Sequence, residues 1–209
     1  NQIIHKKEIF FYISVSLIGY FSLLFGFFNN EDLVGGAIQD FNFYVGLLNR
    51  FSNDFLYSFL NYKDMNSDHS PFFISLLTII NIPLENFNLI NVKSIDTNDK
   101  QSILLYGHKY NFLRFIFLHI CILVPFLLFK CLKIIFKDCN NITLFLLSIT
   151  IILSPHFRAY AIWTGETNLG LLFLICSIYF YLKLFEKKPR NKISHFKFIF
   201  FNVLFLALS

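Results

Sequence analysis

Charge is what this chain has least of. Lys and Arg number 18 and Asp and Glu 13 among 209 residues, or 15% of the sequence, where a soluble domain carries about 25%. So small a supply cannot wet the surface of a water-soluble fold, and the soluble globular classes are excluded. Other absences narrow the chemistry. No GxxxxGK[ST], GxGxxG or HExxH occurs, so nothing points to a phosphate-cradling loop, a dinucleotide fold or a zinc protease. There is no DxD pair, the nearest approach being Asp40-Phe41-Asn42, and neither a metal nor an organic cofactor is expected. The four cysteines, Cys121, Cys131, Cys139 and Cys176, form no CxxC pair and lie in or beside apolar segments. They read as small buried fillers, not as a disulfide framework or a zinc site. Basic and aromatic residues do not interleave on a soluble face, so no nucleic-acid partner is expected.

What is present in quantity is apolar. Hydrophobic residues make up 56% and aromatics 20%, with a mean hydropathy of +0.57. The expected class is an all-α polytopic membrane protein. Residues 9–28 are uncharged, and about 20 such residues cross the ~30 Å hydrocarbon core. Further spans are predicted at about 112–136, 142–157, 169–185 and 198–209. In the second, Arg114 and Lys130 are expected to snorkel to the two interfaces, leaving His119 and Pro125 inside. No small-x-small cleavage pattern follows the first run, where the sequence reads "FGFFNNED", so that run is read as a retained anchor. The start at Asn1 and the stop at Ser209 within an apolar run suggest one transmembrane domain from a longer, truncated protein.

Orientation follows from the basic residues. Lys6 and Lys7 precede span one; Lys130, Lys133 and Lys137 separate two and three; Lys183, Lys187, Lys188, Arg190, Lys192 and Lys197 separate four and five. Five spans put all three clusters on one side, which the positive-inside bias makes cytoplasmic. The stretch "PFFISLLTIINIPL", residues 71–84, is too short for a span and reads as interfacial or re-entrant. Were it to cross, the middle cluster would change sides. The segment 29–111 is therefore an extracytoplasmic loop with interfacial helices, and it holds Glu31, Asp32, Asp40, Asp54, Asp64, Asp68, Glu85, Asp96 and Asp99. The expected setting is a bacterial inner (plasma) membrane, with this loop in the periplasm or outside. Most of these acids read as a solvated surface.

Three places in that outer region have the residue types of a reaction centre. In "GGAIQDFNFYVGLLNRF" the glycine pair precedes Ile38, Phe41, Val45 and Leu48 at helical spacing, an amphipathic helix lying on the bilayer. Asp40 falls in its first turn, where the helix dipole favours a negative charge. Its plain role is to stabilise that start; its chemical role would be a general base at the membrane edge. In "NSDHSPFF" Ser70 reads as a helix cap before Pro71, while Asp68 and His69 sit at headgroup depth, within reach of a lipid phosphate. In "SPHFRAYAIWTGETN" Tyr160 and Trp163 look like an interfacial aromatic belt. There Arg158 either snorkels or pairs with a phosphate, Glu166 either opens span four or adds a second carboxylate, and His156 either joins the belt or assists. A triad of Ser70, His69 and Asp68 is discounted, since adjacent residues rarely converge as nucleophile, base and orienter.

The order of these stretches resembles the polyprenol-phosphate-sugar-dependent glycosyltransferases of the C-type membrane fold (GT-C), the group of protein O-mannosyltransferases and the lipid A aminoarabinose transferase. There an acidic motif like "DEAYY" follows the first span, as "GAIQDFNFY" does here, with Asp40 at the acidic position and Phe41 where a second acid is common. An "HPPLYYLL"-like stretch is matched by "DHSPFFISLL", an "R-L-P" span entry by "FLRFIFLHICILVPF", and a later span ending "LSP" by "IILSPHFRAYAIWTGETNLG". The resemblance covers nearly the whole chain and implies an inverting transfer of a sugar from a polyprenyl-phosphate or -diphosphate lipid. Asp40 would be the base, Arg158 and His69 the donor-phosphate ligands, and Glu166, Asp68 and His156 substrate contacts. The acceptor, whether protein, lipid or glycan, stays open. Two other readings remain: a transporter or lipid flippase, and a membrane assembly component without catalysis. Against the first, only His119 is ionisable near mid-span, and transport sites favour the midplane.

Overall fold

The computed structural model describes residues 2–65, 71–86, 110–186 and 192–208. Among them every regular element is a helix: α1 (Gln2–Phe28), α2 (Ala37–Asn53), α3 (Phe55–Leu60), α4 (Pro71–Asn86), α5 (Asn111–Cys121), α6 (Leu123–Ile135), α7 (Asn141–Ile149), α8 (Pro155–Ile162), α9 (Glu166–Glu186) and α10 (Lys192–Leu208), with 3-10 turns at Tyr62–Met65 and Thr150–Leu153. Three stretches, Ile9–Phe28, Asn111–Ile135 and Glu166–Phe185, are long and apolar enough to cross a membrane, and a fourth exists if the bent pair Asn141–Leu153 and Pro155–Ile162 counts as one span. Along α1 the side chains of Phe10, Ile18, Phe21, Phe25 and Phe28 are exposed. A continuous apolar face of this kind suits hydrocarbon and not water.

Of the expected spans the second is found whole at Asn111–Ile135, with only its helical hydrogen bonding interrupted, and the third is bent; each change lies at a proline. In the second, helix α5 gives way to α6 at Ile122. Pro125 has no N–H to offer the Cys121 carbonyl four residues back, and its ring crowds that carbonyl. The third expected span, 142–157, is not straight: α7 ends at Ile149, a 3-10 turn follows, and α8 leaves at 64°. The residue before a proline is driven out of helical conformation. Ser154 accordingly adopts φ −63°, ψ 123°, and its hydroxyl caps the N–H of Phe157, with Pro155 in the first helical turn. The fifth expected run, about 198–209, is the apolar part of α10, Phe196–Leu208. Pro71–Pro83 of α4 is short, as its sequence implies.

Packing is polar at two levels of the bundle. Helix α1 meets α5 where the Tyr20 hydroxyl lies 2.9 Å from His119 Nε2. His119 Nδ1 is 2.7 Å from the Phe115 carbonyl, which can only accept, so Nδ1 carries the proton and Nε2 accepts from Tyr20. Helices α9 and α10 exchange hydrogen bonds between Ser177 and Asn202, with Asn202 Nδ2 2.8 Å from the Ser177 carbonyl and Ser177 Oγ 3.1 Å from the Asn202 carbonyl. The cysteines are free; Cys121 and Cys131 are buried, Cys176 is half-buried, and Cys139 is exposed in the α6–α7 connection, contrary to its expected role as a filler.

The ends of α1, α5, α9 and α10 that come together place Phe28, Asn111, Glu166 and Leu208 at one end of the bundle. The opposite helix ends carry Lys6 and Lys7, Lys130 and Lys133, Lys183 and Lys197. Helices α2 and α4 cover the first end, where Tyr110 bonds Asn49 at 3.1 Å and Phe73 packs on Tyr44 with ring centroids 5.0 Å apart. One end of the molecule is therefore basic, and the other holds the acids discussed next.

Candidate functional site

The local sequence of α2 sets the position of Asp40. Gly35 takes a left-handed φ of +71°, a turn open to glycine at no steric cost, and the helix begins at Ala37. Its apolar stripe, Ala37, Phe41, Tyr44, Val45, Leu48 and Phe51, is buried, and Phe41 packs on Trp163 of the α8–α9 corner with centroids 5.8 Å apart. Burial of that stripe leaves Asp40 on the flank, half-buried, facing α8. There the Tyr160 hydroxyl donates to Asp40 Oδ2 at 2.6 Å, a short charge-assisted bond. Oδ1 is left for another partner.

Tyr44, one turn beyond Asp40, carries the cluster across to α9. Its oxygen accepts the backbone N–H of Glu166. Burial, and then the Glu166 and Asp40 carboxylates, push the phenol far above its ordinary value, so Tyr44 keeps its proton. Asp32, Asp40 and Glu166 all lie near enough to act on the Tyr160 hydroxyl. The exposed His156 ring sits 4.5 Å from that of Tyr160 on the same helix. Placing Tyr160 this way requires Gly165, since a Cβ there would occupy the space of the Tyr160 ring. The preceding Thr164 has a φ of +59°, and the Gly165 N–H bonds back to the Tyr160 carbonyl at 2.8 Å. This is a helix end of the Schellman kind, reversing the chain so that Glu166 starts α9 beside Asp40.

Neither arginine snorkels. Arg158 is buried and makes a two-pronged pair with Glu31, Nε to Oε1 at 2.7 Å and Nη2 to Oε2 at 2.8 Å. Its Nη1 reaches Ser22 Oγ at 2.9 Å and Nη2 also reaches the Ser22 carbonyl at 3.1 Å. Arg114 is fully buried and donates to the Ile162 carbonyl at 3.0 Å, to Asn30 Oδ1 at 3.2 Å and to Asn111 Oδ1 at 3.0 Å. Its guanidinium stacks 3.8 Å from the Trp163 ring centroid. Trp163 is buried too, not a belt residue, and its Nε1–H donates to the Glu31 carbonyl at 2.9 Å. Together these contacts fix the turn after α1 against the α8–α9 corner. On that turn Asp32 Oδ2 accepts the Ile38 N–H at 3.4 Å, while its buried Oδ1 has no hydrogen-bond partner among the described residues.

Of the residues singled out from sequence, Asp40, Glu166 and His156 come together around Tyr160. Arg158 stands on the same short helix but points to Glu31, and Asp68 and His69 lie outside the described residues. Sequence reasoning passed over Glu31, Asp32, Tyr44 and the use of Tyr160 as a donor. A signal was present: two arginines at the ends of apolar runs need partners at their own depth, and Glu31 and Asp32 follow the first run directly. Among the described residues no three of His, Cys, Asp and Glu converge to hold a metal ion.

Two hollows flank the helices. One, ≈ 660 Å³, lies between α4, α9 and α10 and is lined by Phe72, Phe73, Gly170, Leu174 and Leu208, with Glu166 at its polar end. The other, ≈ 580 Å³, lies between α1, α5, α6 and α7 beside Tyr20 and His119, with Leu17, Phe126 and Phe145 in its wall. The site thus offers a hydrogen-bonded carboxylate, a second carboxylate beside it, an exposed imidazole and an adjoining apolar hollow. Comparison with protein families, curated proteins and solved structures finds no match to this chain.

Proposed function

We propose that this chain belongs to a membrane-embedded, inverting glycosyltransferase that moves a sugar from a polyprenyl-phosphate lipid to an acceptor hydroxyl, with Asp40 as general base. The observation that carries the reading is the Asp40–Tyr160 hydrogen bond of 2.6 Å at the bundle end that also holds Glu166. A lipid-borne sugar has its reacting carbon at the headgroup plane, and a base for that reaction has to be held at the same depth. Tyr160 occupies one carboxylate oxygen of Asp40 and orients the other towards the acceptor. As the acceptor oxygen bonds to the anomeric carbon, the bond from that carbon to the phosphate oxygen breaks. The acceptor proton passes to Asp40, and polyprenyl phosphate leaves with the electron pair.

The leaving phosphate needs a donor. His156 is exposed beside Tyr160 and suits that role; His69 remains a candidate. Arg158, gripped by Glu31 and Ser22, serves better as the strut that holds the Glu31–Asp32 turn. In this reading the basic end of the bundle is cytoplasmic and the Asp40 end faces the periplasm or outside. The test is to incubate membranes containing the chain with a labelled polyprenyl-phosphate sugar and an acceptor extract. The expected result is released polyprenyl phosphate and a product of inverted anomeric configuration. Absence of transfer with any acceptor, alongside lipid movement between leaflets, would replace this reading with a flippase.

A further inference from the structure

We infer that α3 is a lipid-binding anchor: its outward side chains sink into the headgroup layer of the bilayer and hold the α2–α4 cover at that level. The inference needs the bundle to stand in a membrane, and it does not need the glycosyltransferase reading. Helix α3 is turned inside out. Of its 6 residues the polar one, Ser58, is buried, while Phe55, Leu56, Tyr57, Phe59 and Leu60 are all exposed. A helix facing water does the reverse. The face cannot roll inward, because the polar groups are already spent on backbone. Asp54 Oδ1 accepts the Tyr57 N–H at 3.0 Å, and Asn61 Nδ2 donates to the Tyr57 carbonyl at 2.9 Å. Ser58 Oγ donates to the Arg50 carbonyl at 3.1 Å, and Phe55 packs on Phe51 with centroids 5.7 Å apart. Leu56 and Leu60, one turn apart on one side of the helix, are left 66% and 72% exposed.

The neighbours of α3 set its depth. It packs against α4, whose Phe72 lies on Phe173 of α9 and whose Phe73 lies on Phe117 of α5, each at 6.0 Å. Both partners stand about two turns inside the ends of those long apolar helices. Helix α4 therefore starts below the bundle end, and the apolar surface of α3 continues onto it at the exposed Ile79. Charge agrees with a lipid partner. Arg50, before α3, and Lys63, after it, are exposed at its two ends, where they meet lipid phosphates while aromatic and aliphatic side chains sit beneath. A second protein surface fits less well. A helix of 6 residues is about 9 Å long and about 10 Å wide, far short of the about 800 Å² each partner gives to a stable interface.

The experiment uses the chain in vesicles of phosphatidylethanolamine and phosphatidylglycerol. Its one tryptophan, Trp163, is buried, so a second one reports on its own surroundings. Tyr57→Trp and Leu60→Trp should each add emission shifted to the blue. Phospholipid brominated close to the headgroup should quench it, and aqueous acrylamide should not. Adding Leu56→Glu to Tyr57→Trp, with Leu60→Glu as well, should abolish the bromolipid quenching and admit acrylamide. The detergent melt should match the parent, since none of these side chains enters the core. Acrylamide quenching of both inserted tryptophans overturns the inference in favour of a solvated helix. Protection from both quenchers overturns it in favour of a protein cover, whether a second copy or another chain. Bromolipid quenching indifferent to the glutamate pair overturns it too. Failure of the glycosyltransferase reading would show separately, as Asp40→Asn transferring sugar like the parent with the quenching pattern unchanged.

Discussion

At the scale of single residues, the candidate site depends on who holds whom. A hydrogen bond to a charged group contributes about 1.5–3 kcal/mol, less when half-exposed. Tyr160→Phe, which deletes the 2.6 Å bond to Asp40, should therefore slow transfer about tenfold and leave the fold intact, as read by rate and by a detergent melt. The Arg158–Glu31 pair is a different case. Both side chains are largely buried, at 10% and 18% exposure, and removing one partner of a buried pair costs about 3–5 kcal/mol because the other charge is stranded. Glu31→Gln should lower the melting temperature markedly, and Glu31→Gln with Arg158→Met should recover part of the loss. Tyr44 gives a pH test. Its folded pKa is raised, so the folded state keeps a proton that the unfolded state releases above about pH 10. Stability from this group is full below that pH and falls as pH rises through it. Melts across about pH 8–11 should show that decline in the parent and a flatter limb in Tyr44→Phe. None of these pairings was legible from sequence, because Asp40 and Tyr160 are separated by 120 positions and Arg158 and Glu31 by 127. Only their shared need for partners at one depth was readable.

At the scale of elements, periodicity told more. The stripe Phe41, Val45 and Leu48 marks α2 as expected, but it is buried against the protein, with Phe41 on Tyr110 and Trp163, where a helix lying on the bilayer was expected. The short apolar run of α4 and the long runs of α1 and α9 were equally plain from length alone. What hydropathy could not see was backbone geometry inside an apolar run. Pro125 interrupts the hydrogen bonding of one expected span without ending it, and Ser154-Pro155 turns another through 64°. Both sites carry the proline signal, which a sliding average of hydrophobicity conceals. The turn of α8 matters most, because it brings Tyr160 to Asp40 and starts α9 at Glu166. Its sharpest requirement is Gly165, whose missing Cβ leaves room for the Tyr160 ring. Gly165→Ala should drive that ring off Asp40 and reduce transfer at least as much as Tyr160→Phe.

At the scale of the whole molecule, charge is sorted by end. The helix ends bearing lysine lie opposite the end that gathers Glu31, Asp32, Asp40 and Glu166, and the composition already implied that division through the acids of segment 29–111. The two arginines in the acidic end are turned inward as struts, Arg114 under Trp163 and Arg158 on Glu31, so that end keeps half-buried carboxylates and an exposed imidazole. On the proposed reading, this is the end that a lipid-linked sugar would approach. The most direct measurement compares sugar transfer from a labelled polyprenyl-phosphate sugar by the parent and by Asp40→Asn, at equal protein in vesicles, with donor binding followed in parallel. A general base contributes about 10²–10⁴-fold, so the Asn variant should bind donor normally and transfer at least about a hundredfold more slowly. Transfer at the parent's rate would contradict the account.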